Sequence, residues 1–110
     1  MPLSVRARVE IYLPDQPIPI YQDLLQTIID EFTASFGGCT LLRNVDGYYL
    51  STFGQTIADR IIIVYCDTPF DFNENLDALA RYSERLREYV YSALDEEEVL
   101  VSVLPVYHSQ

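Results

Sequence analysis

The sequence predicts an α+β fold: one antiparallel sheet of four strands with two helices on one of its faces. Three observations carry this. Residues 5–13 alternate apolar and polar side chains. Two longer segments repeat apolar residues at helical spacing. An unbroken β-branched run, Ile61-Ile62-Ile63-Val64, lies between them. Period two marks a half-buried strand, period 3.6 an amphipathic helix, and a short continuous apolar run a strand covered on both faces.

The first strand is set by Val5, Ala7, Val9, Ile11 and Leu13 alternating with Arg6, Arg8, Glu10 and Tyr12. The proline-rich stretch 14–19 ends it, because proline donates nothing to a ladder. A helix is expected over 20–36, where Tyr21, Leu24, Leu25, Ile28, Ile29, Phe32 and Phe36 form one face, with Gly37-Gly38 as its stop. Residues 39–44 read as a strand. Asp46-Gly47 is a tight-turn pair, so a small hairpin near 45–51 is expected there, or a long strand with a kink. Residues 52–59 read as a loop, 60–67 as a central strand, and 68–73 as a connection. The second helix is expected over 74–94, with Leu76, Leu79, Leu86, Val90 and Leu94 inward. Asp71 and Glu74 have capping-box spacing and Asn73 is an equally good cap. The acidic run Asp95-Glu96-Glu97-Glu98 ends that helix, and residues 99–106 form the last strand, with Pro105 marking an edge or an end.

Charge and composition exclude several functions. Asp and Glu total 17 against seven arginines, lysine is absent, and the formal net charge is −10. Nucleic-acid backbones and anionic membrane surfaces both call for clustered positive charge, so neither is an expected partner. No lysine means no Schiff base and no P-loop. No apolar run is long enough to span a bilayer, and the N-terminal residues lack the pattern of a signal peptide, which points to the cytoplasm and reduced thiols. No cofactor or metal is expected: there is no glycine-rich phosphate loop, no CxxC and no Cys/His ligand spacing.

The order strand–helix–strand–strand–helix–strand resembles the ferredoxin-like superfold, a βαββαβ sandwich, over nearly the whole chain. It implies a single domain over residues 1–110, with the first and third core strands central. The cadence Gly37-Gly38-Cys39-Thr40, Gly47-Tyr48, Gly54 and Asp59 resembles small bacterial domains of this fold whose function is uncharacterised. The segment 46–59 is similar in position to the long loop of trimeric nucleotide-sensing signalling proteins of the same fold. With no lysine and only Arg43 and Arg60 nearby, phosphate binding is not expected to carry over. The resemblance assigns no catalytic residue.

Function is read from the sheet face that the helices leave open. It carries Arg6, Arg8, Glu10 and Tyr12 on the first strand, an apolar row on the third in either register, and on the fourth either Val99, Val101 and Val103 or Leu100, Leu104 and Val106. Soluble monomers rarely expose so large an apolar patch, so a homo-oligomer is expected, most simply a twofold dimer. The monomeric alternative folds residues 14–20 and 46–59 over the sheet.

Three functions fit. The first is a non-enzymatic, homo-oligomeric interaction or regulatory domain, with Tyr48 and Tyr49 as contact surface. The second is a small-molecule enzyme or binder in an intersubunit cleft, with Arg8 for an anionic group, Glu10 as base and Tyr12 as donor. The third is an acidic mimic of nucleic acid. Cys39 and Cys66 fall at positions where a suitable register makes them a redox pair; otherwise they are buried thiols. Asp67 and Asp71 suit turn and cap roles better than a cation or acid–base site. His108 is expected on an exposed tail.

Overall fold

The structure is a computed structural model that describes residues 3–94 and 99–109; the acidic run 95–98 lies outside the described residues. The elements follow the expected order: β1 (Leu3–Pro14), α1 (Pro19–Phe36), β2 (Thr40–Leu50), β3 (Thr56–Asp71), α2 (Leu76–Leu94) and β4 (Leu100–Ser109). They form one antiparallel sheet in the order β2-β3-β1-β4, with both helices on one face, a ferredoxin-like arrangement. β1 and β3 are the central strands.

The alternation in β1 becomes a division between two faces. Ala7, Val9, Ile11 and Leu13 are buried, and Ile62, Val64, Cys66 and Thr68 of β3 line the same side. Leu24, Leu25, Ile28 and Phe32 of α1 pack onto this layer with Leu79, Leu86 and Val90 of α2. Val99, Val101 and Val103 complete it at the β4 edge. The helices end as their sequences dictate. Pro19 occupies the first turn of α1, where its missing N–H costs nothing, and Gly37 closes the other end at φ 92° with its N–H bonded to Thr33 O at 2.9 Å.

Five expectations are corrected. Asp46-Gly47 is no turn: it lies inside β2, which is the long kinked strand. The kink is a bulge between Leu42 and Val45, where Asn44 adopts φ 60° and accepts a hydrogen bond from Arg60 Nη1 at 3.1 Å. The reversal comes later, over 51–55, where Gly54 sits at φ 77° and Ser51 accepts from the Gln55 and Phe53 amides. Residues 56–59, expected in a loop, are therefore strand. β3 also runs on through Thr68-Pro69-Phe70-Asp71. Proline is tolerated there because the β1–β3 register shifts between Arg6 and Arg8. The buried Thr68 hydroxyl donates to Ala7 O at 2.8 Å, and the Arg6 guanidinium donates to Pro69 O. α2 begins at Leu76, two residues later than expected, after a turn in which Asp71 Oδ2 accepts from the Glu74 amide at 2.9 Å. His108 is no tail residue: β4 runs to Ser109, and His108 pairs with Ser4.

This core predicts a sharp contrast. Phe32→Ala is expected to lower unfolding stability by about 3–5 kcal/mol, whereas Leu50→Ala at the far end of β2 stays within about 0.5 kcal/mol. Urea unfolding of both variants checks it.

Candidate functional site

On the open face, every second residue of β1 projects away from the helices, and the ladders align β3 and β4 beside it. Arg8 stands opposite Asp67 and Leu104, Glu10 opposite Tyr65 and Ser102, and Tyr12 opposite Ile63 and Leu100. Of the two registers open to β4, the structure adopts the one that turns Leu100, Leu104 and Val106 outward. Thr40, Leu42 and Val45 carry the face on to β2.

The three residues expected in a cleft, Arg8, Glu10 and Tyr12, do share this row. Two more complete the cluster: Asp67, which the sequence suggested for a turn or cap but which lies within β3, and Tyr65, which the sequence did not single out. Asp67 holds Arg8 with both oxygens, Nε–Oδ1 at 2.6 Å and Nη2–Oδ2 at 3.0 Å. The Tyr65 ring lies under the guanidinium, 4.3 Å from its centroid. Glu10 is 3.9 Å from Arg8 and accepts the Tyr12 hydroxyl at 3.2 Å. Asp67 bonding is the largest influence holding the Arg8 pKa above its ordinary value; burial, then Glu10, raises that of Tyr12. The chemical consequence is a closed network. The guanidinium is already neutralised, and the carboxylate nearest a would-be base role already accepts a hydrogen bond. Asp67 was legible as acidic but not as Arg8's partner, because that pairing depends on the β1–β3 register.

The other candidates fall elsewhere. Tyr48 and Tyr49 sit in the outer half of the β2–β3 hairpin, both exposed. They belong to an arm that also exposes Leu50 and Phe53, the latter 91% accessible. Cys39 and Cys66 are free thiols, the first half-buried and the second buried. Burial pushes the Cys66 thiol up to about 12. Asp71 serves its turn, and no group of three or more His, Cys, Asp or Glu among the described residues is arranged to hold a metal. Described carboxylates are spread over β1, α1, β2, β3 and α2. No helix is long and apolar enough to cross a membrane.

A cavity of about 560 Å³ lies between the helices on the opposite side of the sheet. Ile28 and Leu86 form part of its lining, and Glu31 at its edge accepts from the Tyr82 hydroxyl at 3.0 Å and from Ser35. Burial, then Glu31, raises the Tyr82 pKa well above the ordinary tyrosine value.

No family model matches the chain, and no curated protein matches it in sequence. Among solved structures it is similar to CutA1 from Oryza sativa. The TM-score is 0.59 at 18% identity, over 98% of this chain and 85% of that one. The likeness shows the fold and leaves the site to be argued from its own geometry.

Two outcomes follow. Asp67→Ala is expected to cost less than about 1 kcal/mol in urea unfolding, because the Arg8 pair is partly solvated. Raised in the folded state, the Tyr82 pKa makes folding stability fall as pH rises above about 10, the ordinary tyrosine value. Tyr82→Phe removes that proton and should make the alkaline fall in melting temperature shallower.

Proposed function

We propose that the protein is a non-enzymatic domain that self-associates through its open sheet face and acts by protein contact. One observation carries this reading: the segment 46–59, which the monomeric alternative folds over the sheet, is built into strands instead. The segment 46–59 extends outward as strands of the arm, and Leu42 and Leu100 stay exposed on the open face, with Ile61, Ile63, Leu104 and Val106 only partly covered. Shape agrees. The chain exposes 6950 Å², against about 6,200 Å² expected for its mass. Its radius of gyration is 15.1 Å, against about 13 Å for a compact domain of this length. Both excesses are what an arm built for a neighbouring copy produces.

The polar row fits the same reading. Arg8 and Asp67 pair, and Glu10 accepts from Tyr12 beside the same guanidinium, so each charged group of the row has a partner within the chain, and the aliphatic rows on β3 and β4 supply the apolar area. A twofold dimer packing these faces is the simplest closed assembly. An intersubunit cleft enzyme is the weaker reading, since Arg8 is already engaged with Asp67 and Glu10 with the Tyr12 hydroxyl.

Light scattering on a sizing column should give at least twice 12.7 kDa, persisting on dilution. Leu104→Glu, which sets a charge in the apolar row of β4, should weaken association by about tenfold or more while leaving the circular dichroism spectrum unchanged. A wild-type mass of 12.7 kDa at every concentration would sink the proposal.

A further inference from the structure

The β2–β3 register brings the two cysteines of the chain together. Thr40 pairs with Tyr65 and Leu41 with Val64, so one further step places Cys39 opposite Cys66. Directly opposed residues of antiparallel strands have Cα atoms about 4.5 or about 5.5 Å apart, according to the type of pair. Both values lie within the span of about 4.4–6.8 Å that a disulfide bridges. The side chains also share a side of the sheet: Cys66 is in the core, and Cys39 packs against that core. A cleft of about 280 Å³ opens beside both, bordered by Phe36, Gly37, Gly38 and Asp67. Open space surrounds the two glycines ahead of Cys39, so the backbone there can adjust without displacing packed side chains.

We propose that Cys39 and Cys66 form a reversible intramolecular disulfide that clamps the edge strand β2 to the central strand β3. The bond closes the segment 39–66 at its base, and that segment contains the whole projecting arm. Oxidation therefore fixes the platform from which the arm extends. The oxidant is a low-molecular-weight disulfide of the glutathione class. Cys39, the more accessible thiol, attacks it as thiolate, forming a mixed disulfide and expelling one thiolate. Cys66 then attacks the Cys39 sulfur as thiolate and expels the second. Each cysteine gives up one proton, two electrons pass to the oxidant, and one S–S bond forms for the one broken. The second step is the slow one, because the Cys66 thiol is buried and resists ionisation. The inference does not depend on self-association.

The sequence makes the test direct. Lysine is absent, so trypsin cuts only at arginine, and the cysteines fall in separate peptides, 9–43 and 61–81. The full chain is equilibrated with glutathione disulfide, quenched in acid, digested and weighed by mass spectrometry. The expected product is the 9–43 peptide joined to 61–81, within a chain that runs as a monomer on a non-reducing denaturing gel. It should revert on adding dithiothreitol. The oxidised chain should melt about 10 °C higher than the reduced one. Cys66→Ser should stop at a single glutathione adduct on Cys39. Glutathione adducts without the linked pair in the wild-type chain, links only between different chains, or unreacted thiols would each overturn the proposal.

Discussion

Everything in this molecule hangs on the pairing of β1 with β3. These strands contribute the residues most completely removed from water, Val9, Ile11, Val64 and Ala7 among them. α1 packs over β3 and α2 chiefly over β4, while β2 and β4 are hung on the two sides of the pair. Because β1 alternates strictly, burying its apolar half on one side forces Arg6, Arg8, Glu10 and Tyr12 onto the other. A slip of one residue in that register would put arginine and glutamate in the core. The same pattern therefore fixes the fold and presents the polar row.

How far the sequence could be read varied with how much each segment repeats. The alternation in β1 and the apolar stripes of α1 and α2 gave their elements nearly to the residue, since period and cap agree. β3 was legible as a strand but not as a register. Ile61 to Val64 offers no polar position to mark its outer face, and only the ladder to β1 shows Ile61, Ile63, Tyr65 and Asp67 there. Asp46-Gly47 misled because a turn dipeptide is a local signal, and the ladder between 45–50 and 56–61 overrode it. Pro69 misled similarly: proline breaks a regular ladder, but the register shift beside Arg6 provides a place where its missing amide is not needed. His108 could not be placed from the sequence, because nothing local says that β4 follows β1 to its beginning.

The candidate site shows the same division. Arg8, Glu10 and Tyr12 were readable as a row from spacing alone. Asp67 and Tyr65 were not, since they lie on another strand and join the row only through register. These additions change the chemical meaning. A lone arginine on a sheet looks like an anion receptor. An arginine held by both oxygens of Asp67 and stacked on Tyr65 has its charge and its planar donors already engaged.

That closure bears on what the open face is for. A catalytic row needs an acid, a base or a receptor group free to change partners during a reaction. A contact surface needs the opposite: polar groups already paired, so that excluding water strands no charge. Here the polar row is paired within one chain, the flanking rows are aliphatic, and the segment 46–59 runs outward as an arm instead of shielding them. Removing water from such a surface gains from the aliphatic rows, while Arg8, Asp67 and Glu10 keep partners inside the chain. The cost of leaving it exposed falls on leucine, isoleucine and valine rather than on Arg8. Geometry, rather than composition, is what favours a neighbouring protein surface over a small ligand.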